Sequence, residues 1–172
     1  MPLKIAITGP ESTGKSILAE QLAEHYHTLW VPEYAREYIN NLDHPYNQED
    51  ILEIARGQIR SETSIFRQTK ELLICDTELM VTKIWSEVKY GKCDPWILNM
   101  LENHKYDLYL LCDIDLPWEE DPQREHPHER EYLFNLYKKE LTGRALPFFV
   151  ISGVGKKRLD NAIRVIETFF TF

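Results

Sequence analysis

Apolar residues fall along this chain in short continuous runs and in longer stretches with helical spacing. Leu3 to Thr8 is an aliphatic run closed by Gly9-Pro10, the pattern of a buried strand. From Lys15 the spacing turns helical: Ile17, Leu18, Leu22 and Tyr26 share one face, with Ala19 and Ala23 beside them. Leu29 to Val31 predicts a second strand stopped by Pro32, and Glu33 to Asn40 a short helix. Asn40 to Gln48 carries Asn, Asp, Pro and His and reads as a loop. A long helix follows, with Ile51, Ile54, Ala55, Ile59 and Phe66 in helical register. Glu71 to Asp76 predicts a buried strand ending in a carboxylate. Thr77 to Val88 predicts a helix closed by Tyr90-Gly91-Lys92, and Asp94-Pro95 the cap and first turn of another. Asp107 to Asp113 predicts a fourth strand, Glu129 to Leu141 a helix, and Pro147 to Ile151 a fifth strand. Ser152 to Gly155 reads as a turn. Leu159, Ala162, Ile163, Ile166, Phe169 and Phe170 give an amphipathic terminal helix.

Strands therefore alternate with helices, and their apolar runs do not alternate with polar residues. That is the pattern of a parallel sheet covered on both faces. The expected fold is α/β: a doubly wound P-loop domain, a three-layer αβα sandwich around a five-stranded parallel sheet. It is expected to be one domain over residues 1–172, since no repeat or linker divides the chain.

Composition narrows the function. At 43% hydrophobic and 28% charged residues the chain supports a packed core. Its net charge of -8 argues against a broad nucleic-acid footprint but leaves room for a local phosphate site. Cys75, Cys93 and Cys112 match neither a zinc nor a disulfide spacing. Cys75 and Cys112 sit in apolar runs and are expected in the core, in a reducing compartment. No signal-peptide pattern and no membrane-length apolar run occur, so a cytoplasmic protein without a membrane partner is expected.

Gly9-Pro10-Glu11-Ser12-Thr13-Gly14-Lys15-Ser16 fits G-x-x-x-x-G-K-[ST] in full, between a strand and an amphipathic helix. Such a loop folds its backbone N–H groups around phosphate oxygens at a helix N-terminus. Lys15 is expected on the β- and γ-phosphates and Ser16 on Mg²⁺. The nucleotide contacts expected are Gly9, Glu11, Ser12, Thr13, Gly14, Lys15, Ser16 and Ile17. An ordinary glycine turn would not need the Lys-Ser pair.

Other candidates follow from position. Asp76 ends the third strand at the ligand-bearing edge of the sheet. It resembles a Walker B carboxylate that holds Mg²⁺ or accepts a proton; the alternative is a cap for the helix from Thr77. Glu33 follows the second strand, where a carboxylate can deprotonate a hydroxyl acceptor or simply favour a helix N-terminus. Arg124 and Arg130 lie in a polar stretch, about 115–130, that reads as a lid closing on the transferring phosphoryl group, or as a solvated loop. Trp85 and Trp96 suit either a flat ring or the core. Lys156, Lys157 and Arg158 follow the last strand and suit either the nucleotide base or a solvated turn. His126 and His128 lack a partner cluster and read as surface residues.

With those residues in place, the chain resembles the ribosylnicotinamide kinase domain of the bacterial NadR type. The resemblance rests on residues 9–16, Glu-Tyr-Ala-Arg-Glu at 33–37 and Cys-Asp-Thr-Glu at 75–78. It continues through Thr82-Lys83-Ile84-Trp85 and Pro117-Trp118 to Arg124. It implies a nucleoside/nucleotide kinase fold and transfer of the ATP γ-phosphoryl group to nicotinamide riboside, with Mg²⁺, giving nicotinamide mononucleotide. It places Lys15 and Ser16 at the phosphates, Glu33, Tyr34 and Arg36 at the acceptor, Asp76 at the chemistry, and Arg124 and Arg130 in the lid. Related domains can carry an aromatic residue before the Glu-Tyr pair; here Pro32 stands there, leaving Trp85, Trp96 or Trp118 to supply a ring. Larger regulators of this type add adenylyltransferase and DNA-binding domains, and this chain is expected to lack both activities. The rival readings are a kinase for another nucleoside or metabolite, and a non-catalytic ATP sensor.

Overall fold

The computed structural model describes residues 1–171. Its elements are β1 (Leu3–Thr8), α1 (Lys15–His25), β2 (Leu29–Val31), α2 (Tyr34–Asn40), α3 (Gln48–Phe66) and β3 (Leu72–Asp76). They continue with α4 (Leu79–Tyr90), α5 (Pro95–Asn103), β4 (Leu108–Cys112), α6 (Arg130–Gly143), β5 (Phe148–Ile151) and α7 (Lys156–Phe170). The strands form one sheet in the order β2-β3-β1-β4-β5, and every pairing is parallel. All strand C-termini therefore leave the sheet at one edge, where open α/β sheets hold ligands.

Strand alternation divides the core in two. Ile5, Ile7, Leu72, Ile74, Leu108 and Leu110 point to one face, onto Leu18, Ala19 and Leu22 of α1 and Ala162 and Ile166 of α7. Ala6, Leu73, Cys75, Tyr109 and Leu111 point to the other, onto α3, α4, α5 and α6. Period-two placement with both faces apolar is why these strands read as unbroken hydrophobic runs. Each layer of helices buries its apolar stripe, which gives the expected αβα sandwich. Cys75 and Cys112 are fully buried, as their runs predict.

Local chemistry sets the helix boundaries. Asn47 and Asp50 form a reciprocal capping box on α3. Asp94 caps α5 with Pro95 in its first turn. The helix expected from Thr77 starts instead at Leu79, because Thr77 is left-handed (φ 73°) and Glu78 is the cap, accepting the Met80 N–H. Asp76 is thus not the helix cap. An added Cβ at Gly57 would lie 2.0 Å from Tyr34 Cε1, so glycine at this position of α3 is what lets the Tyr34 ring of α2 lie against it.

Two sequence expectations fail at the surface. Ile17 is 64% exposed, because the first turn of α1 faces the loop edge rather than the sheet. Phe169 is exposed beside the edge strand β5, whose Phe149 and Val150 are also exposed. Among the described residues no helix is long and apolar enough to cross a membrane.

Candidate active site

The register of β1 and β3 builds the site. Ile7 pairs with Asp76, so the loop from Gly9 leaves the sheet beside that carboxylate. Gly9 has φ 134°, and a Cβ there would sit 3.1 Å from the Cys112 carbonyl, so only glycine turns the chain this close to β4. Ser12 and Gly14 also take positive φ, which curves the backbone into an anion-binding cradle. Thr13 Oγ1 and Lys15 Nζ both donate to the Pro10 carbonyl, at 2.8 and 2.7 Å. The Ser16 hydroxyl donates to Asp76 Oδ2 at 2.5 Å.

Asp76 is 2% exposed. Burial, with the nearby charge of Glu33, pushes its carboxyl up to about 6, although Ser16, Lys15 and Thr77 pull it down. The left-handed Thr77 behind it is local strain of the kind concentrated at functional sites. Gln58 of α3 accepts the Tyr34 N–H at 2.9 Å and reaches the Asp76 and Thr77 carbonyls at 3.5 and 3.4 Å. One side chain thus joins the start of α2 to the end of β3.

A cavity of about 390 Å³ opens above the loop, lined by residues 9–17, Glu33, Arg36, Trp85, Arg124 and others. Its size suits a small ligand. Exposed Ile17 is part of this lining. Arg36 pairs with Asp121 at 2.9 Å. Arg124 donates to the Glu119 carbonyl at 2.5 Å. Four candidates are not in this lining. Asp76 is buried beneath Ser16, and Arg130 is bonded to the Ser12 and Leu116 carbonyls. Trp96 is on α5 with the Arg56 guanidinium 5.6 Å from its ring, and it is not among the cavity residues. Tyr34 lies on Gly57, also outside the lining.

Residues 113–129 cross over the loop and are bonded to it. Ser12 Oγ accepts the Glu119 N–H at 2.9 Å. The Glu11 carboxylate accepts the N–H groups of Glu125 and His126. Arg130 donates to the carbonyls of Ser12 and Leu116, at 3.1 and 2.8 Å. Glu11, Ser12 and Arg130 thus join the crossing segment to the loop. His126 pairs with Glu129 at 2.6 Å.

Three residues take structural parts near the site that the sequence did not assign to them. Arg158 is 4% exposed, so it is neither a solvated turn residue nor a free cover for a base. Its guanidinium donates to Asp115 and to the carbonyls of Thr13, Asp113 and Gly153, at 2.7 to 2.9 Å. Glu78, 1% exposed, accepts the Thr8 hydroxyl at 2.8 Å, and burial pushes its carboxyl up to about 7. Tyr46 bonds to Glu125 at 2.6 Å and to the Trp85 indole N–H at 3.0 Å. The Asp-Thr-Glu spacing at 76–78 is the one pattern that could have flagged Glu78.

Among the described residues no group of three or more His, Cys, Asp or Glu is arranged to hold a metal. Ser16 and Asp76 nevertheless present two hard oxygen donors at one point beside the loop. That suits Mg²⁺, which draws its remaining ligands from phosphates and water.

The AAA domain family (AAA_28) matches residues 4–158. The trifunctional NAD biosynthesis/regulator protein NadR of Escherichia coli (strain K12) is 26% identical over 126 residues, covering 70% of this chain and 30% of the relative. A NadR protein solved in complex with NR superimposes with TM-score 0.84 at 19% identity, over 99% of this chain and 52% of that one. Deoxyadenosine kinase from M. mycoides, solved with its products, gives TM-score 0.69 at 16% identity, over 96% of this chain and all of that one. The chain spans about a third of the curated relative and half of the solved NadR chain. These structural likenesses establish the P-loop kinase fold.

Proposed function

The chain belongs to the AAA domain family (AAA_28), and from that premise we propose that it is an ATP-dependent kinase for nicotinamide riboside. The observation that carries the reading is a single cavity with two kinds of wall. One wall is the phosphate loop with Lys15, and Ser16 tied to Asp76; the other presents Glu33 and Trp85, with Arg124 above. The NadR relative matched over 126 residues and the solved NadR complex with NR support the choice of acceptor.

In this reading the loop N–H groups and Lys15 hold the β- and γ-phosphates. Ser16 and Asp76, directly or through water, hold Mg²⁺, which when bound neutralises charge on the phosphates. Glu33 accepts the proton of the ribose 5′-hydroxyl. It lines the cavity, whereas Asp76 is buried and committed to Ser16. The 5′-oxygen bonds to the γ-phosphorus as the bond to the β,γ-bridging oxygen breaks, leaving ADP. Residues 115–130 act as the lid. Their closure excludes water, and Arg124 stabilises charge on the transferring group. Trp85 is the aromatic wall for the acceptor ring in place of the residue at Pro32. The protein is read as cytoplasmic.

The test is ATP turnover against a panel of acceptors. Stimulation by nicotinamide riboside with nicotinamide mononucleotide as product is expected. Clear turnover on another nucleoside without it would reject the acceptor, and binding without turnover on any acceptor would favour a sensor. Two variants probe the roles. Arg124→Ala should lower kcat by about 10²- to 10³-fold with little change in ATP affinity, as for a group acting in the transition state. Equal losses in kcat and ATP affinity would remove that role. Glu33→Gln should lower kcat by about 10²- to 10⁴-fold, as expected for loss of a general base. A kcat within a fewfold of the parent would move the base to Asp76.

A further inference from the structure

Two segments far apart in sequence meet at one side chain. Glu125 sits in the proposed lid, next to Arg124. Its carboxylate accepts the Tyr46 hydroxyl at 2.6 Å through one oxygen and pairs with Lys89 of α4 at 2.9 Å through the other. Its backbone N–H donates to Glu11 of the phosphate loop. The side chain of Glu125 is thus fixed by the acceptor side of the cavity and its main chain by the donor side.

The acceptor side of this junction leads into the cavity. Tyr46 lies in the loop before α3, its ring edge-on to Trp85 with centroids 4.9 Å apart. The same hydroxyl that donates to Glu125 accepts the Trp85 indole N–H. Lys89 also bonds to that hydroxyl, and its ammonium lies 3.8 Å from the Tyr46 ring centroid. Burial alone would raise the Glu125 carboxyl, yet the Tyr46 and Lys89 bonds hold it below its ordinary value, so it accepts as a carboxylate. A second tie runs parallel: Arg36 pairs with Asp121, and Gln123 donates to the Arg36 carbonyl and Asn40.

We propose that Glu125 is a positioning residue that links occupancy of the acceptor pocket at Trp85 to the placement of Arg124, so that phosphoryl transfer waits for the acceptor. The proposal rests on the kinase reading above. A ring packed on Trp85 bears on the Trp85–Tyr46 pair, and the Tyr46 hydroxyl is the donor that holds Glu125. Moving Glu125 moves its neighbour Arg124. An ion pair with both side chains about a third exposed adds little to stability. The interaction therefore matters for geometry, and its loss should leave the fold intact.

The variants are Glu125→Gln and Tyr46→Phe, assayed with ATP and nicotinamide riboside. Each should lower kcat by about tenfold or more while ATP affinity changes by less than about twofold. ADP released per phosphorylated product should rise from about one to above about two, because a misplaced lid admits water. The double variant should be no worse than either single one, as for residues in one network. A kcat and an ADP-to-product ratio within about twofold of the parent in both variants would overturn the proposal. A second readout needs no acceptor. With a non-hydrolysable ATP analogue alone, amide exchange across residues 116–128 should be about tenfold faster in Glu125→Gln than in the parent. Equal exchange overturns the positioning role, whereas an unmodified protein with no turnover on nicotinamide riboside overturns only the acceptor assignment.

Discussion

Replacing Lys15 with alanine should reduce ATP turnover by about a thousandfold or more, the order of effect seen when a charge clamp on a transferring phosphoryl group is removed. The ammonium lies 2.7 Å from the Pro10 carbonyl, folded against the loop that is to receive the phosphates. Exchanging that carbonyl for phosphate oxygens is a short movement of one flexible side chain. Among the described residues no other lysine lines the cavity, and the two arginines that do are engaged elsewhere, Arg36 with Asp121 and Arg124 with the Glu119 carbonyl. The fold should hardly notice: Lys15 is the first residue of α1, and alanine is the better helix former. Steady-state kinetics beside a thermal melt separate the two effects. Near-normal turnover would reject a phosphate loop centred on Lys15.

Arg158→Ala should be the most destabilising single change near the site, by about 2–4 kcal/mol, because it removes a buried guanidinium together with its hydrogen bonds. The guanidinium bonds Asp115 and three carbonyls from three separate loops. Removing it leaves the Thr13 carbonyl without that donor in a place that water reaches poorly, while Asp115, about a third exposed, keeps the Gly153 N–H. In a chain of this size that corresponds to a fall in Tm of about 10 °C. Because one of the carbonyls belongs to Thr13, ATP affinity should fall as well, and added ATP should recover less stability than in the parent. A melting temperature within about 2 °C of the parent would mean that the four bonds add nothing net.

The sheet was legible because burial leaves a simple mark. A strand covered on both faces must be apolar along its covered length, as β4 and the middles of β1 and β3 are, with Lys4, Thr8 and Asp76 towards their ends. The phosphate loop was legible because its glycines and Lys-Ser pair answer local backbone demands. Ile17 misled for the same local reason: helical spacing put it with Leu18, but its turn faces the cavity mouth. Trp96 had the same credentials as Trp85, and only the packing of α5 separates them. Arg158 read as a base cover or a solvated turn residue, and its buried role left no mark because its partners are mostly backbone carbonyls, which any residue supplies. Tyr46 and Glu125 are 79 residues apart, and no periodicity joins a loop to a loop. What the sequence hides is the part of the site made by side chains meeting main chain across distant turns.

The sheet order has a consequence for how this chain is made. β1 carries the phosphate loop, yet its neighbours lie far downstream: Leu3 pairs with Leu72 and Ile5 with Leu108. During synthesis β1 leaves the ribosome before either partner exists. A nascent chain that stops short of residue 108 has one bare edge on this strand, and one that stops short of residue 72 has two. Bare strand edges are templates for the wrong partner. Closing such long loops also makes folding slow relative to locally paired topologies. ATP cannot help by binding early, since the cradle is complete only once Cys112 lies behind Gly9. The ligand thus rewards a finished chain, and the interval before that is when a cell's chaperones have most to do.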